Sequence, residues 1–250
     1  VEEYQKKYPE KIRVVTSNEN VGMIPNFLRT LEECKGKYIA LCEGDDYWTD
    51  PCKLQKQVDF LEENEDFSIC YHNAKILKDG KLVDDFITNS VPEITGFDDL
   101  VNHNFMHTPS VVFRNNFRNS KLPDNFFQSP LGDYYLHLYN AQFGKIKKID
   151  EVMCVYRFGG AWSGSVDSDD KQLKSLKAYH TAVHGLNPNI SLINLWYKKV
   201  IFSSQTKLKK DIYITSEFEK ELMNIFTPLS LSKNVKTVNL LKAILKKIVR

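Results

Sequence analysis

The sequence predicts an α/β fold: a mixed, mostly parallel central sheet flanked by helices, followed by a helical C-terminal region. Three observations predict it. Apolar, β-branched runs at 12–17, 37–43, 67–77, 109–114, 145–149 and 151–157 have strand length and composition. Segments with apolar residues at helical spacing lie between them. Beyond about residue 166 the strand signal fades, and helical patterns dominate at 169–184, 190–208, 216–226 and 235–249.

Each element has a local reason. EEYQKKY at 2–8 ends a helix that Pro9 closes. IRVVTS at 12–17 reads as a short buried strand. From Pro25 to Cys34, Phe27 and Leu31 share a helical face, and Gly36 stops the helix. KYIALCE at 37–43 is mostly apolar, which predicts a strand in the middle of the sheet. Asp50 reads as a helix N-cap with Pro51 in the first turn. Leu54, Val58 and Leu61 form the expected buried stripe of that helix. FSICYHNAKIL at 67–77 is a strand, and Asp79-Gly80 within KDGK is a hairpin turn signal. A short helix is expected at 96–102, a strand at 109–114 and a helix at 131–144 ended by Gly144. Strands at 145–149 and 151–157 follow.

Composition bounds the class. The 250 residues suffice for one large domain or two small ones. With 42% hydrophobic and 26% charged residues, the chain folds rather than remaining disordered. No run of about 18 apolar residues exists, which excludes a transmembrane helix. The 34 Lys and Arg against 32 Asp and Glu give a net charge of +2. Residues 166–250 hold 15 basic and 7 acidic side chains, whereas 1–165 hold 19 and 25. This break predicts two parts, 1–165 and 166–250. A nucleic-acid binder would spread basic residues over its main domain, so no nucleic-acid partner is expected. The five cysteines are scattered without a CxxC pair, which argues against zinc and fits a reducing, cytoplasmic setting. Cys42 and Cys70 lie in apolar runs and read as buried thiols. His103 and His107 read as polar surface residues.

The chemistry concentrates in CEGDDYWTDP, residues 42–51. Glu43, Asp45 and Asp46 directly follow a strand, and ligands of open α/β sheets sit beyond the carboxyl ends of strands. Clustered carboxylates repel one another unless a cation is bound. Oxygen ligands suit Mg²⁺ or Mn²⁺, which can neutralise a leaving diphosphate. A solvated turn is the plainer explanation, and capping alone accounts for Asp50. It does not account for three further acids. Asp133 lies near a helix start, where the dipole favours an ionised carboxylate. Arg157 can pair with phosphate.

Residues 20–62, NVGMIPNFLRTLEECKGKYIALCEGDDYWTDPCKLQKQVDFLE, resemble the core of family 2 glycosyltransferases. The shared features are an N-x-G segment, a helix, a K/R-G-x-Y-I strand and an acidic D-x-D type loop. GDYYLHLYNAQFGKIKKIDEVMCVYR at 132–157 resembles the second half of the same domain. The resemblance covers about residues 1–165 and implies a nucleotide-diphospho-sugar transferase fold. The family's first βαβ unit is absent from these residues, and Val1 stands at the start, so the chain is expected to be N-terminally truncated.

The resemblance also implies a function. A sugar passes from a nucleotide-diphospho-sugar, with UDP-sugar the expected donor, to a saccharide or lipid-linked acceptor. Transfer is expected to invert the anomeric centre and to need Mn²⁺ or Mg²⁺, in surface polysaccharide or glycolipid synthesis. Asn20, Gly22, Asn26, Glu43, Asp45 and Arg157 fall at the nucleotide-sugar, and Asp45 and Asp46 at the metal. Asp46, Trp48 and Trp162 fall towards the acceptor, and Asp133 at the catalytic base. Three positions depart from the usual pattern: Glu43 replaces Asp, Gly132 replaces Glu, and Phe158-Gly159 replaces a histidine. The alternative is a non-catalytic binding module. The last segment, 235–250, is basic and amphipathic, which predicts peripheral contact with the inner face of the plasma membrane.

Overall fold

The computed structural model describes residues 1–186 except 86, 89, 119–120 and 160–167. All of them belong to the first of two compact units, Val1–Trp196 and Tyr197–Arg250. The expected boundary near 165, Trp162, and the helices expected beyond residue 186 lie outside the described residues.

Among the described residues seven strands form one sheet: β1 (Tyr38–Ala40), β2 (Tyr47–Trp48), β3 (Phe67–Lys78), β4 (Lys81–Asp84), β5 (Ile94–Thr95), β6 (Val112–Arg114) and β7 (Lys145–Arg157). Among the described residues six α-helices accompany them: α1 (Glu2–Lys7), α2 (Met23–Glu32), α3 (Lys53–Glu63), α4 (Phe97–Asn102), α5 (Gly132–Ala141) and α6 (Ser168–Gly185). The strand order is β1-β6-β3-β7-β2, with β4 on β3 and β5 on β7. The longest ladder, β3 with β7, is parallel, and the other pairs are antiparallel. This is the mixed α/β architecture that the sequence predicts. Residues 67–74 of β3 are all buried, as expected where helices cover both faces of a strand.

Several local expectations hold. The turn between β3 and β4 has φ 51° at Asp79 and 74° at Gly80, the two positive angles of a type I′ hairpin. A Cβ on Gly144 would stand 2.7 Å from the Asp66 carbonyl, so only glycine lets the chain pass there. Helix α6 packs on the α/β core through Tyr179 against Tyr134 and through the Thr181 carbonyl, which accepts from Asn125 at 2.7 Å.

Others are corrected. Residues 12–17 form no strand, because nothing among the described residues offers a ladder partner. The apolar β1 lies at the end of the strand order rather than in its middle. An apolar run reports covered faces, not neighbouring strands. Residues 145–157 are one strand, since register shifts opposite His72–Ala74 absorb the interruption. Cys42 is exposed, because β1 stops before it, whereas Cys70 is buried.

Helix α3 carries the most instructive correction. Leu54 is exposed, and the buried face is Lys53, Gln57 and Leu61. The helix starts two residues after Pro51. The N-cap is Cys52, with no side-chain cap bond, rather than Asp50, whose carboxylate instead accepts the Cys52 N–H at 2.7 Å in the turn before the helix. The inward face is therefore turned by one residue. Leu61 joins Phe67, Cys70 and Val112 in the core. Gln57 Nε2 donates to the carbonyls of Cys70 (2.8 Å) and Ser110 (2.9 Å), while its Oε1 accepts from Lys53 at 2.9 Å. A buried amide that meets its partners is tolerated where an apolar residue was expected. Gln57→Leu leaves two buried carbonyls without these donors and should cost about 1–3 kcal/mol. The urea midpoint measures this, and an unchanged midpoint refutes the role given to the amide.

Candidate active site

The acidic loop leaves the end of β1 and turns at once, with the Asp46 N–H bonded to the Glu43 carbonyl at 3.1 Å. The turn brings carboxylate oxygens of Glu43, Asp45 and Asp46 within 4.8 Å of one another. Antiparallel pairing of β2 with β7 then delivers Arg157 to the loop. Its backbone N–H donates to Asp46 Oδ1 at 2.8 Å, and its Nε–H donates to the Asp45 carbonyl at 2.9 Å. Two hydrogen bonds thus hold the loop, and the remaining N–H groups of the guanidinium have no partner among the described residues.

The electrostatics are strained. Burial pushes the Glu43 carboxyl up to about 7, with Asp133, Asp46 and Asp45 adding repulsion. Burial likewise lifts Asp46 to about 6 against the pull of the Arg157 N–H, and Asp45 raises it further. Asp46 Oδ2 is buried without a hydrogen-bond partner. An orphaned carboxylate oxygen within a cluster of acids fits a hard divalent cation, which would satisfy the oxygen and relieve the repulsion.

Asp133 sits in the first turn of α5, beside this cluster. Its Oδ2 accepts a hydrogen bond from Thr108 Oγ1 at 3.1 Å. Gly132 allows α2 to come close, since a Cβ there would stand 3.1 Å from Ile24 Cδ1.

The structure therefore brings together Glu43, Asp45, Asp46, Asp133 and Arg157. Among the described residues Asn20, Gly22 and Asn26 make only local bonds. Asn20 Oδ1 accepts the Gly22 N–H at 3.0 Å, and Asn26 Oδ1 accepts from Arg29 at 2.7 Å. The Trp48 indole N–H donates to the Pro109 carbonyl at 2.9 Å, and the Lys53 ammonium lies 4.5 Å from the ring centroid.

Sequence reading passed over Thr108 and misplaced His107. His107 is buried rather than at the surface, whereas His103 is exposed. His107 Nε2 meets Asp85 Oδ1 at 3.1 Å, and its ring packs on Tyr156 at 4.8 Å. Burial pushes the Asp85 carboxyl up, but hydrogen bonds from His107, Thr88 and the Ile87 N–H outweigh it and hold it down at about 2. No local pattern could have paired residues 85 and 107.

Two further histidines are buried and neutral. Burial drives both His72 and His137 down to about 4. The unfolded chain takes up these protons near pH 6.5 and the fold resists them, so their contribution to stability is lost as pH falls from about 6.5 to 4. Between pH 7 and 5, wild type should lose about 2 kcal/mol more than His137→Phe. Urea unfolding at both pH values measures the difference, and equal losses refute it.

Comparison with known proteins identifies the family. The model of glycosyl transferase family 2 matches residues 1–125, half of the chain. The chain belongs to glycosyl transferase family 2. Among relatives, an uncharacterized protein of Mycobacterium tuberculosis is 38% identical over 156 residues, which is 62% of this chain and 44% of the relative. TuaG of Bacillus subtilis, named as a teichuronic acid biosynthesis glycosyltransferase, is 32% identical over 107 residues, 42% of this chain and 41% of TuaG. An uncharacterized glycosyltransferase of Methanocaldococcus jannaschii is 24% identical over 216 residues, 82% of this chain and 69% of the relative. The chain spans under half the length of the mycobacterial relative. Family and relatives together support a role in glycosyl transfer. No helix among the described residues is long and apolar enough to cross a membrane.

Proposed function

We propose that this chain carries the donor site and the base of an inverting, metal-dependent glycosyltransferase. It takes a sugar from a nucleotide-diphospho-sugar, with UDP-sugar the first choice, to a saccharide or lipid-linked acceptor. One observation carries the reading: a carboxylate on the first turn of α5, Asp133, tied by the Thr108 hydroxyl, lies beside a three-acid loop.

The chemistry follows from the groups present. Asp133 Oδ2 is held by Thr108, and Oδ1 has no hydrogen-bond partner among the described residues. Oδ1 takes the proton of the acceptor hydroxyl as that oxygen attacks the anomeric carbon. The bond from that carbon to the diphosphate breaks, and its electron pair leaves with the nucleoside diphosphate. The remaining N–H groups of Arg157 meet the diphosphate oxygens. Asp45 and Asp46, with Glu43 beside them, would hold a Mg²⁺ or Mn²⁺ ion that supplies counter-charge to the leaving group. Asn20, Gly22 and Asn26 are assigned to the nucleotide and Asp46 and Trp48 to the acceptor; Trp162, assigned to the acceptor by the resemblance, lies outside the described residues.

The name of the Bacillus relative supports surface polysaccharide or glycolipid synthesis as the pathway. The proposed location is the cytoplasmic face of the plasma membrane, with 235–250 as the contact. Calorimetry of the full-length protein with UDP, with and without Mn²⁺, tests the reading alongside UDP release from a panel of UDP-sugars. Binding that EDTA abolishes, together with UDP release, supports it. No nucleotide binding under either condition overturns it in favour of a non-catalytic binding module.

A further inference from the structure

The hydroxyl that holds Asp133 is itself braced to a degree that packing does not require. Thr108 opens a 3₁₀ turn, Thr108–Ser110, whose residues are all buried. The Pro109 carbonyl accepts from the Trp48 indole at 2.9 Å, and the Ser110 carbonyl accepts from Gln57 at 2.9 Å. Ser110 returns its own hydroxyl to the His107 carbonyl at 2.7 Å. His107 is anchored in turn on Asp85 at 3.1 Å. The strand after the acidic loop, helix α3 and the segment after β4 thus all grip one short turn. The only bond this turn makes towards α5 through a side chain is Thr108 to Asp133 among the described residues.

From this geometry we infer that Thr108 is a positioning residue for Asp133; the inference rests on the base reading proposed above. A carboxylate in a first helical turn rotates freely unless one oxygen is tied. Tying Oδ2 leaves Oδ1 in a single orientation, and misplacement of a reacting group by about 1 Å can cost about 10²-fold in rate. The braced turn supplies a donor that does not yield when the acceptor binds. The bland account, a buried hydroxyl that happens to find the nearest oxygen, predicts loss of stability without loss of turnover.

The test compares Thr108→Val, Thr108→Ser and Asp133→Asn with wild type in the full-length protein, using UDP-sugar turnover and thermal melting. Valine keeps the shape and removes the donor. Its kcat should fall about tenfold or more, with donor KM within about twofold, because a hydrogen bond to a charged group is lost. Serine should restore kcat to within about threefold, because it keeps that bond. If the valine variant does not fold, Thr108→Ala takes its place in the same comparison. Wild-type kcat in the valine variant, or a loss that serine does not restore, overturns the positioning role alone. Absence of donor-dependent turnover in wild type, or full activity of Asp133→Asn, overturns the base reading and the positioning role with it.

Discussion

Asp133→Asn is expected to lower turnover roughly 10²–10⁴-fold while leaving UDP affinity unchanged. A sugar hydroxyl is a weak nucleophile, and the only function lost in the amide is the capacity to take its proton. The substitution preserves shape, and the new side-chain oxygen can still accept the Thr108 hydroxyl that now reaches Oδ2. The helix start should therefore survive. Steady-state kinetics with a UDP-sugar, alongside calorimetric UDP binding, measures both halves of the prediction. A loss below about tenfold in a folded variant sinks the base assignment. A parallel loss of UDP affinity would instead make Asp133 part of the nucleotide site.

The second large effect concerns the acidic loop. EDTA should abolish turnover, and Mn²⁺ should raise the melting temperature of wild type, because a ligand that binds only the fold stabilises it. Asp46→Asn should remove both responses. It should also melt higher than wild type without added metal. The sign follows from the raised folded pKa values of Glu43 and Asp46, about 7 and 6. The fold takes protons more readily than the unfolded chain, so ionising these acids at neutral pH destabilises the empty site. The amide removes that charge, and its oxygen can keep the bond to the Arg157 N–H. Thermal scans with and without Mn²⁺ decide the point. A variant that keeps its Mn²⁺ shift, or melts lower in EDTA, contradicts the assignment of Asp46 to the cation.

The difference between these groups and those the sequence missed is one of range. Asp79-Gly80 specified a type I′ turn because two adjacent residues tolerate positive φ. Glu43, Asp45 and Asp46 were legible because they lie within four consecutive positions just beyond a strand, where short-range repulsion acts whatever the rest of the chain does. Asp133 was legible only through its resemblance to a family, since one acid near a helix start is otherwise unremarked. The groups of the proposed chemistry could thus be picked out, the acidic loop from the residues and Asp133 from the resemblance, together with most of the elements that carry them.

Thr108, the His107–Asp85 pair and the inward turn of Lys53 and Gln57 could not be read there. Each depends on a partner brought close by the path of the chain: Asp85 for His107, Asp133 for Thr108, and the carbonyls of Cys70 and Ser110 for Gln57. By itself the sequence determined the α/β class, the hairpin and the acidic loop, and through its resemblance to a family it pointed to Asp133 as the candidate base. Only the tertiary structure decided which polar groups are buried around them. Local propensity and repulsion act between neighbours in sequence, whereas a buried hydrogen bond gains its strength from the low dielectric and exclusion of water that packing alone creates.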